Sequence, residues 1–314
     1  MSQLNDEERH GAVGGLNVVV IGAGLMGHSI AGVFAAAGAS VTVHDANSGV
    51  LQQVPERIAK QFDTTGRDVE AAGRVRLVDA LEEVGPETHL VIEAVPEILD
   101  LKQELFARLS ASLPDAVLAT NTSVFKISDV ARDAIHPHRV VGTHWWNPPH
   151  LIPLVEVVAG EHTDSGITEW MIDILAQAGK VPVHVRKDVP GFIGNRIQHA
   201  MWREAISLVE AGVCDAETVD LVVRNSFGLR LPAMGPIENA DYVGLDLTAA
   251  VHNYLFSSLN HDDHASPLIT RLIEEGNLGA KTGSGMLGWE EGKRAEATTR
   301  LERHLIETRR GTST

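Results

Sequence analysis

Basic residues are scarce in this chain. Against 42 Asp and Glu there are 26 Lys and Arg over 314 residues, a formal charge of −16. That balance argues against nucleic acid or an anionic membrane as an unaided partner, because both are bound through clustered cations. Cysteine is nearly absent, and the single Cys214 excludes an internal disulfide framework and suits a reducing compartment. No apolar run reaches the roughly 18 residues that a membrane span needs. Met1 is not followed by a basic-apolar-small leader, so a cytoplasmic protein is expected. Repeats and low-complexity tracts are missing too. What remains is a chain that is 44% apolar and long enough for two domains.

Residues 1–15 are polar and glycine-punctuated, and a mobile arm is expected there. Order begins at Asn17-Val-Val-Val-Ile21, a β-branched run that reads as a buried parallel strand. Gly22-Ala-Gly24-Leu25-Met26-Gly27 follows, and then a helical composition from Ser29 to Ala37. Strand, G-x-G-x-x-G and helix together are a dinucleotide-binding context. The first glycine permits a tight turn, the second admits a pyrophosphate, and the third packs helix on strand. The Met26 side chain reads as core. A second strand, Ser40–His44, ends in Asp45, placed to accept hydrogen bonds from both hydroxyls of an adenosine ribose. With no arginine in Ala46-Asn47-Ser48 to take a 2′-phosphate, NAD is favoured over NADP.

The stretch with the most chemistry is His144-Trp-Trp-Asn-Pro-Pro-His-Leu-Ile-Pro-Leu-Val-Glu156. A histidine leaves a strand at Arg139 to Thr143, a proline-punctuated loop follows, and an apolar run then carries Glu156. An imidazole beside a carboxylate is the unit that abstracts a proton from a hydroxyl. Taken alone, the pair reads equally well as a core histidine and a strand-edge glutamate. Trp145 and Trp146 are either pocket walls or packing.

Further strands are expected at Leu90–Glu93, Ala116–Thr120 and Val181–Val185, and helices at Glu97–Ser110 and Asp164–Gly179. Asn121-Thr-Ser123 falls at a strand's carboxyl end, where open α/β sheets bind ligands. The expected fold is therefore α/β, a Rossmann-type doubly wound parallel sheet over residues 16–187, followed by a smaller all-helical domain over 188–289. A charged tail, 290–314, reads as a solvated helix. The wide apolar faces of the second domain point to a homodimer.

Taken in order, these motifs resemble the 3-hydroxyacyl-CoA dehydrogenase superfamily from about residue 16 to about residue 289. The likeness rests on the glycine loop, Glu93-Ala-Val-Pro-Glu97, Asn121-Thr-Ser123, His144-x-x-Asn147-Pro148 and Leu154-Val-Glu156. It continues through Pro190-Gly-Phe-Ile-Gly-Asn195, Met234-Gly-Pro236, Asp241-Tyr-Val-Gly-Leu-Asp246 and Lys281-Thr-Gly-Ser-Gly285. The resemblance implies that His144 is the general base paired with Glu156, and that Ser123 and Asn195 lie beside the substrate oxygen. It also implies that Glu97, Lys102, Ser123, Asn147 and Lys281 touch the nicotinamide half of NAD.

In acyl-CoA members the segment after the Asp45 position carries lysines that help bind CoA. Here Gln61-Phe-Asp-Thr-Thr-Gly-Arg-Asp-Val-Glu70 is a poor host for CoA phosphates. The His144 and Gly228-Leu-Arg230 spellings are closer to the small-acid members: carnitine dehydrogenase, gulonate 3-dehydrogenase, and a pyridine-carboxylate dehydrogenase of vitamin B6 breakdown. Arg230 is then expected to hold a substrate carboxylate, and the substrate to be a small hydroxy acid or a hydrated aldehyde. A short-chain 3-hydroxyacyl-CoA ester is the alternative. A non-catalytic NAD-binding sensor or structural protein is the alternative of another class. No metal is expected, since His261-Asp-Asp-His264 lacks a further ligand nearby.

Overall fold

Eight strands form one sheet: β1 (Asn17–Ile21), β2 (Ser40–His44), β3 (Val75–Val78), β4 (Leu90–Glu93), β5 (Val117–Thr120), β6 (Val140–Trp145), β7 (Leu154–Ala159) and β8 (Val181–Val185). Their order is β3-β2-β1-β4-β5-β6-β7-β8 in a computed structural model that describes residues 12–67 and 69–311. The order reverses between β1 and β4, which puts the glycine loop after β1 at the switch point of a doubly wound sheet. Helices α1 (Gly27–Ala36), α2 (Val54–Thr65), α3 (Leu99–Ser112) and α4 (Ser165–Gln177) cover the sheet. The apolar side chains of α1, α2 and α4 join one buried cluster and those of α3 join the other. The continuous β-branched runs of β1 and β4 are what burial on both faces requires.

The sheet departs from the expected form in two places. β3, with the sequence Val-Arg-Leu-Val, is a further edge strand beside β2; it is short and half-exposed, and its alternation is too brief to stand out. The sheet is also only mostly parallel. β7 runs antiparallel to β6, and β8 runs parallel to β7, so the last two strands oppose the first six.

Of the arm expected over residues 1–15, residues 1–11 lie outside the described residues. Val13–Gly15 form a 3-10 turn, and the buried Val13 donates its amide to Gln177 Oε1 at 2.9 Å. Compactness divides the chain into residues 1–196 with 302–314, and residues 197–301. The first unit thus runs on past the boundary expected at 187. Phe192 is buried with α3 and the sheet, and it holds the following residues to the first unit.

The second unit is helical: the rest of α5 (Gly194–Glu210), α6 (Ala216–Asn225), α7 (Pro236–Val243), α8 (Leu245–Leu255) and α9 (Pro267–Glu274). Asp215 caps α6 by accepting from Thr218 N at 2.8 Å. None of residues 197–301 is buried. The tail forms α10 (Lys293–Gly311), whose last turns belong to the first unit, where Arg309 Nη1 donates to His150 O at 2.6 Å. It is therefore not solvated along its whole length. Among the described residues no helix is long and apolar enough to cross a membrane.

Candidate active site

Strand register joins the two ends of the proline-rich stretch. In the β6–β7 pair His144 lies directly opposite Glu156, so both side chains leave the same face of the sheet. His144 Nδ1 donates to Glu156 Oε2 at 2.7 Å, and both residues are buried. The other carboxylate oxygen, Oε1, accepts from Ile193 N at 2.9 Å and Gly194 N at 3.0 Å. These amides follow two left-handed residues, Gly191 (φ 73°) and Phe192 (φ 50°), which turn successive N–H groups toward one anion at the start of α5. A phenylalanine in this conformation is strained by about 1–3 kcal/mol, and burial of its ring holds it there. Burial alone would raise the Glu156 pKa, but the His144 hydrogen bond and the two amides outweigh it and hold the carboxyl below its ordinary value.

His144 also touches aromatic rings. Trp146 lies 5.1 Å away and Phe192 5.7 Å away, centroid to centroid. Gly194 leaves room for the indole, since a Cβ there would come within 2.3 Å of the Trp146 ring. Trp145, pointing to the opposite face, is core: it is 2% exposed and meets Phe34 edge-on. Of the two candidate pocket walls, only Trp146 stands beside the histidine.

The residues after β4 and β5 form a second network. Lys102 Nζ sits 2.6 Å from Glu93 Oε1 and 3.2 Å from Glu97 Oε2, and Thr120 Oγ1 donates to Glu93 Oε2 at 2.6 Å. Burial pushes the Glu93 carboxyl up, against the pull of Lys102 and its hydrogen bonds. Glu97 is half-exposed. Burial pushes it up as well, yet Lys102, Thr122 and the Ser123 amide together bring it below its ordinary value. It accepts from Thr122 Oγ1 at 2.5 Å and Ser123 N at 2.8 Å, while Ser123 O accepts from Asn195 Nδ2 at 2.9 Å. Ser123, Asn195 and Glu97 are thus brought together. Lys102 is almost fully buried between two carboxylates, of which Glu93 is buried and Glu97 reaches solvent.

The glycine loop suits a dinucleotide. At Gly22 (φ 96°) a Cβ would lie 2.5 Å from Ala94 O, and at Gly27 it would lie 1.6 Å from Gly22 O. At Gly24 nothing stands within 4 Å, the open approach that a pyrophosphate needs. Leu25 is exposed and Met26 packs against the core. Asp45 takes the Ala23 amide on Oδ2 at 2.7 Å and the Asn47 amide on Oδ1 at 2.8 Å, which anchors the loop to the end of β2.

The loop from Asn147 to Pro153 is fastened to its surroundings. The Asn147–Pro148 peptide is cis and Asn147 is exposed. Lys180 Nζ donates to Pro149 O and, at 3.0 Å, to Ile152 O. Ser29 Oγ and His150 Nδ1 lie 2.9 Å apart. Arg230 and Lys281 belong to the second unit, and both are exposed. Sequence reasoning passed over Glu93, Phe192 and Lys180. Glu93 stood inside a quoted motif, and the Gly191-Phe192 turn carried a glycine as its signal. Lys180 carried none beyond being a lysine at the entrance to an apolar strand.

The model of the 3-hydroxyacyl-CoA dehydrogenase NAD-binding domain matches residues 17–189, and that of the same family's C-terminal domain matches residues 191–289. The chain is 32% identical over 300 residues to a 5-formyl-3-hydroxy-2-methylpyridine 4-carboxylate 5-dehydrogenase of Mesorhizobium japonicum, covering 94% of this chain and 97% of that one. It is 37% identical over 225 residues to an L-carnitine dehydrogenase of Streptomyces coelicolor, covering 70% and 71%. A crystal structure of the pyridine-carboxylate enzyme, described as an NAD+-dependent dismutase, superposes with a TM-score of 0.87 at 32% identity, over 94% of this chain and 97% of that chain. The (S)-3-hydroxybutyryl-CoA dehydrogenase from Ralstonia eutropha superposes with a TM-score of 0.70 at 28% identity, over 88% and 99%.

Proposed function

Because the chain belongs to the 3-hydroxyacyl-CoA dehydrogenase family and is an NAD-dependent dehydrogenase, we propose that it oxidises a small hydroxy acid with His144 as general base. The reacting group is a secondary alcohol or the hydrate of an aldehyde. The observation that carries this reading is the 2.7 Å contact between His144 Nδ1 and Glu156 Oε2. An ionised Glu156 keeps the proton on Nδ1, which leaves the Nε2 lone pair to take the substrate's hydroxyl proton. The same carboxylate stabilises the imidazolium that results. Asn195 and Ser123, tied at 2.9 Å, orient the reacting oxygen. NAD, held on Gly22, Gly24, Leu25, Met26, Gly27 and Asp45, supplies the hydride acceptor. Glu97, Ser123, Asn147 and Lys281 bind its nicotinamide half, with Lys102 acting through Glu97. The Asp45 carboxylate disfavours a 2′-phosphate and so NADP.

Two observations favour a small acid over a CoA ester. The fit to the pyridine-carboxylate enzyme, with a TM-score of 0.87, exceeds the 0.70 to the hydroxybutyryl-CoA enzyme. After Asp45, the stretch Gln61–Glu70 also carries three acids against one arginine, a poor surface for CoA phosphates. Arg230 is assigned to the substrate carboxylate, since a guanidinium offers a planar fork of donors to two oxygens. The working unit is a cytoplasmic homodimer. In its support, residues 197–301 bury none of their apolar side chains within one chain.

A panel of hydroxy acids, carnitine, sugar acids, aromatic aldehydes and 3-hydroxybutyryl-CoA, followed by NADH absorbance, tests the reading. Turnover of an acid with little or none of the CoA ester is expected. Turnover of CoA esters alone would overturn it.

A further inference from the structure

Lys180 is a buried cation at the entrance to β8, 7% exposed, and among the described residues no carboxylate pairs with it. Its ammonium lies 5.3 Å from the centre of the Trp145 ring and donates to the carbonyls of Pro149 and Ile152. Burying an ammonium is costly, and an apolar side chain of similar length would fill this space at less cost. What Lys180 supplies, and an apolar residue could not, is two donors for two loop carbonyls that meet no other donor among the described residues. Those carbonyls belong to the segment that begins at Asn147 and ends where β7 starts.

We propose that Lys180 is a positioning residue for the active-site loop 147–153, fixing its backbone so that Asn147 is presented to the nicotinamide half of the cofactor. The proposal rests on the cofactor role given to Asn147 above. The pairing of β6 with β7 ends at Trp145 opposite Val155, so the clamp governs the unpaired residues between them, Asn147 included. Ser29 and Arg309 hold the same segment through His150, from α1 and from α10 respectively.

Titration of Lys180 gives the clamp a direction with pH. Burial, together with the charges of Arg309 and Arg67, lowers its pKa to about 7. A loop that opened to water would return it toward the ordinary lysine value of about 10.4. The closed loop therefore binds fewer protons than the open one between these values, and closure gains as pH rises above about 7. The groups that face Lys180 hold their charge through that window. Arg67 and Arg309 stay cationic. His150, lowered to about 4 by burial and by Lys180, stays neutral, as does His28, which burial also lowers.

Hydrogen exchange and cofactor binding, measured on the full chain without substrate, test the proposal. In Lys180→Met the amides of residues 150–152 should lose at least about tenfold in protection. NAD affinity should fall about tenfold, while affinity for ADP-ribose, which lacks the nicotinamide, stays within about twofold. In the wild type, loop protection corrected for intrinsic exchange should rise between pH 7 and 9, by up to about tenfold per unit for one linked proton. In Lys180→Met it should stay flat. If that variant does not fold, Lys180→Gln, which keeps an uncharged NH2 with two donors, should lose the pH dependence. Unchanged loop protection would overturn the clamp. Loosened protection with an unaltered ratio of NAD to ADP-ribose affinity would overturn its role in presenting Asn147, and equal loss of both ligands would mean general damage instead. A wild type that binds NAD no more tightly than ADP-ribose would count against the role of Asn147 itself, whatever the loop amides show.

Discussion

The two units differ in how they are held together. Residues 1–196 bury a sheet from both sides, with side chains such as Phe34, Ile58, Phe106 and Leu118 at or near zero exposure. Residues 197–301 are as regular in secondary structure, yet not one of them is buried, and Tyr254 is 88%, Tyr242 78% and Ile237 77% exposed. Burial of apolar area is the main favourable term in folding. The first unit has the means to stand alone. The second is a set of amphipathic helices whose apolar faces stay exposed within one chain, the faces that the proposed homodimer would cover. The division extends to the proposed chemistry: the first unit carries His144, Glu156 and the glycine loop, and the second carries Arg230 and Lys281.

Removing the proposed base should have the largest effect. His144→Ala is expected to lower kcat by about a hundred- to ten-thousandfold, the range of general-base catalysis. NAD affinity should stay within about twofold by calorimetry, because the glycine loop and Asp45 lie elsewhere on the sheet edge. A parallel loss of NAD binding would erase the separation of roles. Arg230→Leu tests the other unit. Removing a charge-assisted pair should cost roughly 2–4 kcal/mol in kcat/KM, about thirty- to a thousandfold, with normal NAD binding and weaker discrimination between the acid and its methyl ester. Wild-type kcat/KM on the acid would leave the second unit without a part in recognition.

Smaller effects address stability. Tyr254→Asp should weaken association by about 2 kcal/mol or more, the worth of one buried aromatic, seen by light scattering as a dimer that dissociates at micromolar concentration. A wild-type monomer at that concentration would mean that the exposed faces are not an interface. The last effect belongs to Glu156. Its folded pKa is depressed, so its stabilising contribution is fully present above the ordinary carboxylate value and is lost as pH falls through the lower folded value. The difference in Tm between wild type and Glu156→Gln should therefore shrink as pH falls from 6 toward 3. A constant difference would mean that the charge on Glu156 contributes nothing to folding.

Most of the first unit was legible because its signals are local. A β-branched run, a glycine loop and an acid at the end of the next strand lie within Asn17 to Asp45, and each reports a backbone requirement. β3 was not legible, since four residues at a sheet edge carry little alternation. The reversal at β7 was hidden for another reason: Leu-Val-Glu-Val-Val-Ala reads alike in either direction, and only pairing with β6 decides it. For the site, residue types identified His144 and Glu156, but the amides of Ile193 and Gly194 are backbone groups and leave no mark in composition. Lys180 shows the same limit, because its partners are carbonyls some thirty residues away.

The antiparallel pairing of β6 and β7 has a consequence for how such an enzyme can change. His144 and Glu156 are opposed by register, so residues inserted in or deleted from the 146–153 turn need not disturb them, whereas a one-residue slip of either strand would send one partner to the far face. The proposed proton-transfer pair is thereby insulated from the segment that shapes its surroundings. The turn can be respelled for a different substrate while His144 and Glu156 keep their pairing.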